Sequence, residues 1–196
     1  MAGLTGMEQY AVSKRRLTTE EFLRIPEDGK RHELVDGVHY VTPSPVPSHQ
    51  VLVGRLHLSL GSYIEQRPHL GRILLGPLDV VLSDRDVVEP DLLFLAAGQA
   101  DILTAKNVQG PPALAIEVLS PGTRRWDERV KRRLFEERGI GEYWIVDPVA
   151  RCVRVFRRAA DGSFPEVATL VAERGDRLEM PLLPGWSIAM ADLFAG

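Results

Sequence analysis

Val87-Val88-Glu89-Pro90-Asp91-Leu92-Leu93-Phe94-Leu95 and Ala113-Leu114-Ala115-Ile116-Glu117-Val118-Leu119-Ser120 are two short apolar runs, each carrying an acid where a buried strand should have none. The second run is apolar on both of its alternating faces. Leu114, Ile116 and Val118 share one face, and Ala113, Ala115 and Leu119 the other, the pattern of a central strand covered on both sides. Glu117 lies inside it. An ionised carboxylate there costs on the order of several kcal/mol unless a cation or a metal compensates it, so this stretch asks for a positive partner.

Two partners fit. If the two runs are neighbouring strands at roughly 4.8 Å spacing, Asp91, which opens the first strand after Pro90, and Glu117 can point at one divalent cation. The other partner is Lys131. After the Ser120-Pro121-Gly122 turn, Trp126, Val130 and Leu134 recur at four-residue spacing and predict a helix packed on the sheet. Asp127 and Lys131 border that stripe, one turn apart on a common line. A lysine stem there lies along apolar surface while its amine reaches past the strand end.

Pro90-Asp91, Glu117-Val118-Leu119-Ser120-Pro121, Thr123-Arg124-Arg125-Trp126-Asp127 with Lys131, and Glu142-Tyr143-Trp144-Ile145-Val146-Asp147-Pro148 form an ordered set. This set resembles the Uma2-like endonucleases of the PD-(D/E)XK, or restriction-endonuclease-like, superfamily. The resemblance extends from Glu33-Leu34-Val35-Asp36-Gly37 to Leu183-Pro184-Gly185-Trp186 and Leu193-Phe194. One position departs from the superfamily pattern: two residues after the acid stands Leu119 and not lysine. In the Uma2-like branch the lysine comes from the next helix, which here is Lys131.

The resemblance implies a metal-dependent endonuclease acting on DNA. Asp91 and Glu117, with the backbone carbonyl of Val118, would hold Mg²⁺ or Mn²⁺, ions that suit hard oxygen ligands. Lys131 would orient or deprotonate a water, or stabilise the transition state as a point charge, and Asp127 would position Lys131. An additional acid assists the metal in this superfamily; Glu33 is the nearest match, with Asp79 and Glu89 as alternatives. The expected reaction is hydrolysis of a DNA phosphodiester leaving a 5′-phosphate, and a homodimer is expected where both strands are cut.

A chain of 196 residues with 44% hydrophobic content is long enough for one well-buried core. Residues 1–16 lack periodicity and read as a flexible arm, leaving 17–196 as a single domain. The single cysteine, Cys152, excludes an internal disulfide. No stretch approaches the ~20 apolar residues of a membrane span, so no membrane partner and a cytoplasmic protein are expected. The net charge of -3 argues against a non-specific nucleic-acid coat. Arg124, Arg125, Arg129, Arg132, Arg133 and Arg138 nonetheless crowd the helix after Glu117, and Arg151, Arg154, Arg157 and Arg158 add a basic stretch. Such groups contact phosphates or form a solvated, ion-paired face.

Elsewhere, Thr18 to Leu23 reads as a short capped helix. Arg31 to Val41 reads as a hairpin turning at Asp36-Gly37. Ser48 begins a helix through about Gln66, with His49 in its first turn facing the metal, a phosphate or solvent. Arg72-Ile73-Leu74-Leu75 and Leu78-Asp79-Val80-Val81-Leu82 read as one core strand or a bent pair, and the chain ends in a β-rich extension. The expected fold is α/β: a restriction-endonuclease-like core with a mixed sheet flanked by helices. Its rival functions are a DNA-binding module that keeps the fold without catalysis and a hydrolase of another phosphoester.

Overall fold

The structure, a computed structural model, describes residues 11–12, 15–26 and 28–195. In chain order the elements are α1 (Thr19–Phe22), β1 (Arg31–Val35), β2 (Val38–Thr42), α2 (Pro47–Glu65), β3 (Gly71–Leu75), β4 (Val80–Ser83), β5 (Asp86–Val88), β6 (Leu92–Ala96), β7 (Val108–Gln109) and β8 (Leu114–Val118). After β8 come a π-helical turn, Trp126–Lys131, continued by α3 (Arg132–Arg138), then β9 (Glu142–Asp147), β10 (Cys152–Arg157), β11 (Glu166–Val171), β12 (Arg177–Glu179), β13 (Ser187–Ala189) and α4 (Met190–Leu193).

Two mixed sheets stand where the sequence suggests one. The larger has the order β11-β10-β9-β8-β6-β3 and the smaller β2-β1-β5-β4-β7. The chain passes between them five times from β2 to β8. Gly76 and Pro77 lie where it leaves β3 of the large sheet for β4 of the small one, so the Arg72–Leu75 and Leu78–Leu82 runs are neither one strand nor a bent pair within a sheet. It returns through Glu89-Pro90-Asp91, between β5 and β6. Proline donates no ladder hydrogen bond, and that is why the apolar run from Val87 to Leu95 divides at Pro90 between two sheets.

The large sheet holds the core. β8 lies between β6, antiparallel to it, and β9, parallel to it. Its five residues are all buried, as its two-faced apolar pattern predicts. One face, with Leu92, Phe94, Leu114, Ile116 and Trp144, packs against Leu52, Val53, Leu56 and Leu60 of α2. The other, with Leu93, Leu95, Ala115, Tyr143 and Ile145, packs against Leu134 and Phe135 of α3 and Val80 and Val88 of the small sheet.

The stripe on α2 is His49, Leu52, Val53, Leu56, Leu60 and Ile64, a helical 3-4 spacing. Val51 and Leu58, off this stripe, are 51% and 70% exposed. The β1–β2 hairpin turns at Asp36 and Gly37 with φ of 50° and 76°, the left-handed pair that a two-residue turn requires and Asp-Gly accommodates. Ala11 bridges Tyr40 beside this hairpin; most of the N-terminal arm lies outside the described residues. In the C-terminal extension, Trp186 stacks on Trp144 at 5.8 Å and closes one side of the core.

Candidate active site

Register brings the two acids together. β6 and β8 pair Leu92 with Ile116 and Leu93 with Ala115; one further step sets Asp91 opposite Glu117. Because strand side chains alternate, both fall on the face that carries Leu93 and Ala115, toward the helix after β8. Asp91 has three partners. Oδ2 accepts from His49 Nε2 at 2.9 Å and from the Val118 amide at 2.8 Å, and Oδ1 accepts from Arg31 at 2.7 Å.

Lys131 comes from the π-helical turn. Residues five apart lie on different faces of an α-helix, but the i→i+5 turn brings Trp126 and Lys131 to the same side. The predicted stripe of Trp126, Val130 and Leu134 is therefore replaced: Trp126, Asp127, Lys131, Leu134 and Phe135 are buried, and Val130 is only half-buried. Lys131 and Asp127 are inside the packing and not on its border. The Lys131 amine donates to Glu117 Oε1 at 2.6 Å, stands 2.6 Å from Glu33 Oε1, and is 3.8 Å from Asp127.

Glu33, 1% exposed, is a core residue of β1. Its Oε1 accepts the Glu89 amide at 3.0 Å and its Oε2 the Trp126 indole N–H at 2.9 Å. Trp126 thus serves as a hydrogen-bond donor to the site.

Burial and charge act against each other throughout. Burial would raise the Asp91 carboxyl, but the His49 bond, the Arg31 charge and the Val118 amide outweigh it and hold it well below the usual range. Burial raises Glu117 well above its ordinary value despite Lys131, with Asp91 and Asp127 adding to the rise. Burial also lifts Asp127 to about 7 against the opposing pull of Lys131. For Lys131 burial favours the neutral amine, yet Glu117, Glu33 and Asp127 together hold it above the ordinary lysine range.

These groups line one small cavity of about 20 Å³, room for about one water or ion. Its ionisable lining is Glu33, Asp91, Glu117 and Asp127 against Arg31 and Lys131, so four carboxyl groups face two fixed cations. Burial raises the Glu117 and Asp127 carboxyls, and the neighbouring carboxylates add to the rise. A divalent cation would neutralise the excess of acids, and the carboxylate oxygens with the Val118 carbonyl are the hard donors that Mg²⁺ or Mn²⁺ takes. The donor set fits such an ion. Among the described residues no three His, Cys, Asp or Glu side chains are grouped to hold a metal by themselves. Mg²⁺ keeps several waters and needs only one or two carboxylates.

Lys131, Glu117, Glu33 and Asp127 thus form one cluster and Asp91, His49 and the Val118 amide another, the two meeting at the cavity that Asp91 shares with the lysine and its acids. Glu89 and Asp79 do not line the cavity. Arg31 is the residue that sequence reasoning misses. It binds Asp91 and the Glu89 carbonyl and lies 3.6 Å from the Glu89 carboxylate. The available signal was the strand period, since Arg31 and Glu33 share a face of β1. For His49, the signal was its position three and four residues before Leu52 and Val53 on the buried stripe.

The arginine-rich surface is largely ion-paired. Arg124 grips Asp147 with two bonds, Arg138 holds the buried Asp86, Arg154 meets Glu128 and Glu166, and Arg157 meets Glu142. Arg158 is spent on backbone carbonyls of Phe135, Glu136, Ile140 and Gly162.

Residues 19–191 match the Uma2 family model, described as "Putative restriction endonuclease". "Uncharacterized protein slr1290" of Synechocystis is 25% identical over 188 residues, which cover 92% of this chain and 93% of that protein. The crystal structure of "a putative nuclease belonging to DUF820" from Anabaena variabilis superimposes with a TM-score of 0.77 at 20% identity, covering 91% of this chain and 98% of the other. That likeness establishes the restriction-endonuclease-like fold.

Proposed function

The chain belongs to the Uma2 family, and from that membership we propose that it is a metal-dependent endonuclease hydrolysing DNA phosphodiester bonds. The observation that carries this reading is the buried Lys131 amine 2.6 Å from both Glu117 and Glu33, in a cavity it shares with Asp91.

Asp91, Glu117 and the Val118 carbonyl would hold Mg²⁺ or Mn²⁺, with Glu33 as the third acid. Such an ion, when bound, lowers the pKa of a coordinated water and neutralises charge on the scissile phosphate. His49 and the Val118 amide fix the rotamer of Asp91, so its oxygen is preorganised. Lys131, held protonated by its acids, supports the part of a point charge at the developing anion and not that of a base. Asp127, 3.8 Å from the amine, limits its travel. Among the described residues no helix is long and apolar enough to cross a membrane, and the proposed partner is DNA. A second copy of the chain would supply the site for the second strand.

Nicking of supercoiled plasmid DNA with Mg²⁺ or Mn²⁺ tests the reading. The native protein is expected to nick, and Asp91→Asn, Glu117→Gln and Lys131→Ala, at matched folded content, to lose at least about 100-fold in rate. A native protein as inert as its variants on plasmid, branched and modified DNA overturns it.

One observation favours a second reading, a DNA-binding module without catalysis: Asp91 and Glu117 are bonded to protein cations. Equal DNA affinity with and without metal, and no nicking, would select it.

A further inference from the structure

Among the described residues, the buried side-chain polar atoms without a hydrogen-bond partner are Arg31 Nε, Thr42 Oγ1, His49 Nδ1 and Glu89 Oε2. All belong to the site or its immediate supports. Arg31 and Thr42 are directly paired across the β1–β2 hairpin, and both line the cavity. An orphaned hydroxyl beside a guanidinium is a donor pair suited to a phosphate oxygen.

Arg31 also stands where a metal's charge would act. Its guanidinium is 2.7 Å from Asp91 Oδ1, and a dication on that carboxylate repels it. Lys131 is locked among its acids at 3% exposure, whereas the Arg31 side chain is 22% exposed. Of the two cations, Arg31 is therefore the one with a path outward. A guanidinium also binds phosphate through a fork that a lysine amine lacks.

We propose that Arg31 is an exchangeable counterion: it neutralises Asp91 when no divalent cation is bound, yields Oδ1 to the cation, and then takes a phosphate oxygen of the substrate together with Thr42 Oγ1. This rests on the nuclease reading and adds to it a substrate-binding residue from the small sheet. Metal and substrate are thereby coupled. Until the metal binds, the phosphate-binding group is engaged on Asp91.

The test is calorimetric titration of Mn²⁺, without DNA, into the native protein, Arg31→Gln, Arg31→Lys and Asp91→Asn, with labelled duplex binding measured in Ca²⁺. Arg31→Gln is expected to bind Mn²⁺ roughly tenfold more tightly, since a competing positive charge has gone. It should bind the duplex more weakly, with a salt slope lower by about one. Arg31→Lys keeps the charge, so its Mn²⁺ affinity should stay within about threefold of native while duplex affinity falls. Mn²⁺ affinity unchanged or weakened in Arg31→Gln, or weakened beyond that range in Arg31→Lys, overturns the exchange. If the native protein nicks DNA and Arg31→Gln still gains no Mn²⁺ affinity, the exchange alone fails. If the native protein binds no Mn²⁺ at all, the nuclease reading fails and the exchange with it.

Discussion

Lys131 Nζ lies 2.6 Å from Glu33 Oε1, a contact that ties the hairpin of the small sheet to the helix after the central strand. Both residues are almost fully buried, at 1% and 2% exposure. Their separation in the chain hides the pairing. Once made, it joins the two sheets through a charge and not only through packing.

Removing that charge should unfold as well as inactivate. Lys131→Ala leaves Glu33 and Glu117 buried without their cation, at a cost of about 3–5 kcal/mol. Because the excess negative charge is then greater, Mg²⁺ should recover more stability in the variant than in the native protein, through binding to the folded state alone. Urea denaturation with and without Mg²⁺ measures both. An equal Mg²⁺ effect on the two proteins would disconnect Lys131 from the carboxylates proposed to hold the metal.

His49 should set metal affinity and not substrate chemistry directly. Its bond to Asp91 Oδ2 at 2.9 Å is a supporting contact of the kind whose loss typically costs about 10–100-fold in affinity. His49→Ala is expected to raise the Mg²⁺ concentration for half-maximal nicking by that factor, with the rate at saturating metal reduced far less. Loss of rate at saturating Mg²⁺ with no change in the half-maximal concentration contradicts this.

Glu89 carries a pH dependence. Burial lifts its carboxyl to about 7, against the opposing charge of Arg31. A carboxyl raised on folding contributes stability that is complete below its unfolded value near 4.5 and is lost as pH climbs through about 7. Glu89→Gln removes the desolvated anion, so it should be roughly neutral at pH 5 and stabilising by about 1–3 kcal/mol at pH 8. Denaturation midpoints at the two pH values decide it; a gain of the same size at both would show the effect is not titration.

Gly76 should resist substitution for steric reasons. A Cβ there would sit 2.4 Å from the Pro90 carbonyl oxygen, and the Gly76 amide donates to the Asp91 carbonyl at 2.9 Å. Gly76→Ala must push the Glu89-Pro90-Asp91 segment away, with a cost of about 1–3 kcal/mol or more. The displacement falls on Asp91, so Mn²⁺ affinity should drop together with thermal stability. A stable variant with native Mn²⁺ binding would mean the segment relaxes elsewhere.

Several features of the site were legible before the fold was known. Glu117 inside a two-faced apolar run is an energetic anomaly that marks itself, and its partner stood open between a divalent cation and Lys131 on the next helix. Asp36-Gly37 specifies the hairpin turn because few other residues tolerate its positive φ. Arg31 was not legible, since a charged residue at a strand start is ordinary until one knows what lies across from it. The arginine-rich helix was legible only as a choice between phosphate contacts and ion pairs. Its partners Asp147, Asp86 and Glu166 lie on other elements.

By itself the sequence determined the faces of the strands, the hairpin, the crossover helix and the presence of buried acids in need of compensation. All of these follow from local periodicity and from the cost of desolvating a charge, both of which act within a few residues. Only the tertiary structure decided that Pro90 divides one apolar run between two sheets. It also decided that an i→i+5 turn carries Lys131 into the core, and that Arg31, His49 and Trp126 hold Asp91 and Glu33. Charge compensation acts through space, over a few ångströms, and the elements that come within that distance are set by how the two sheets meet.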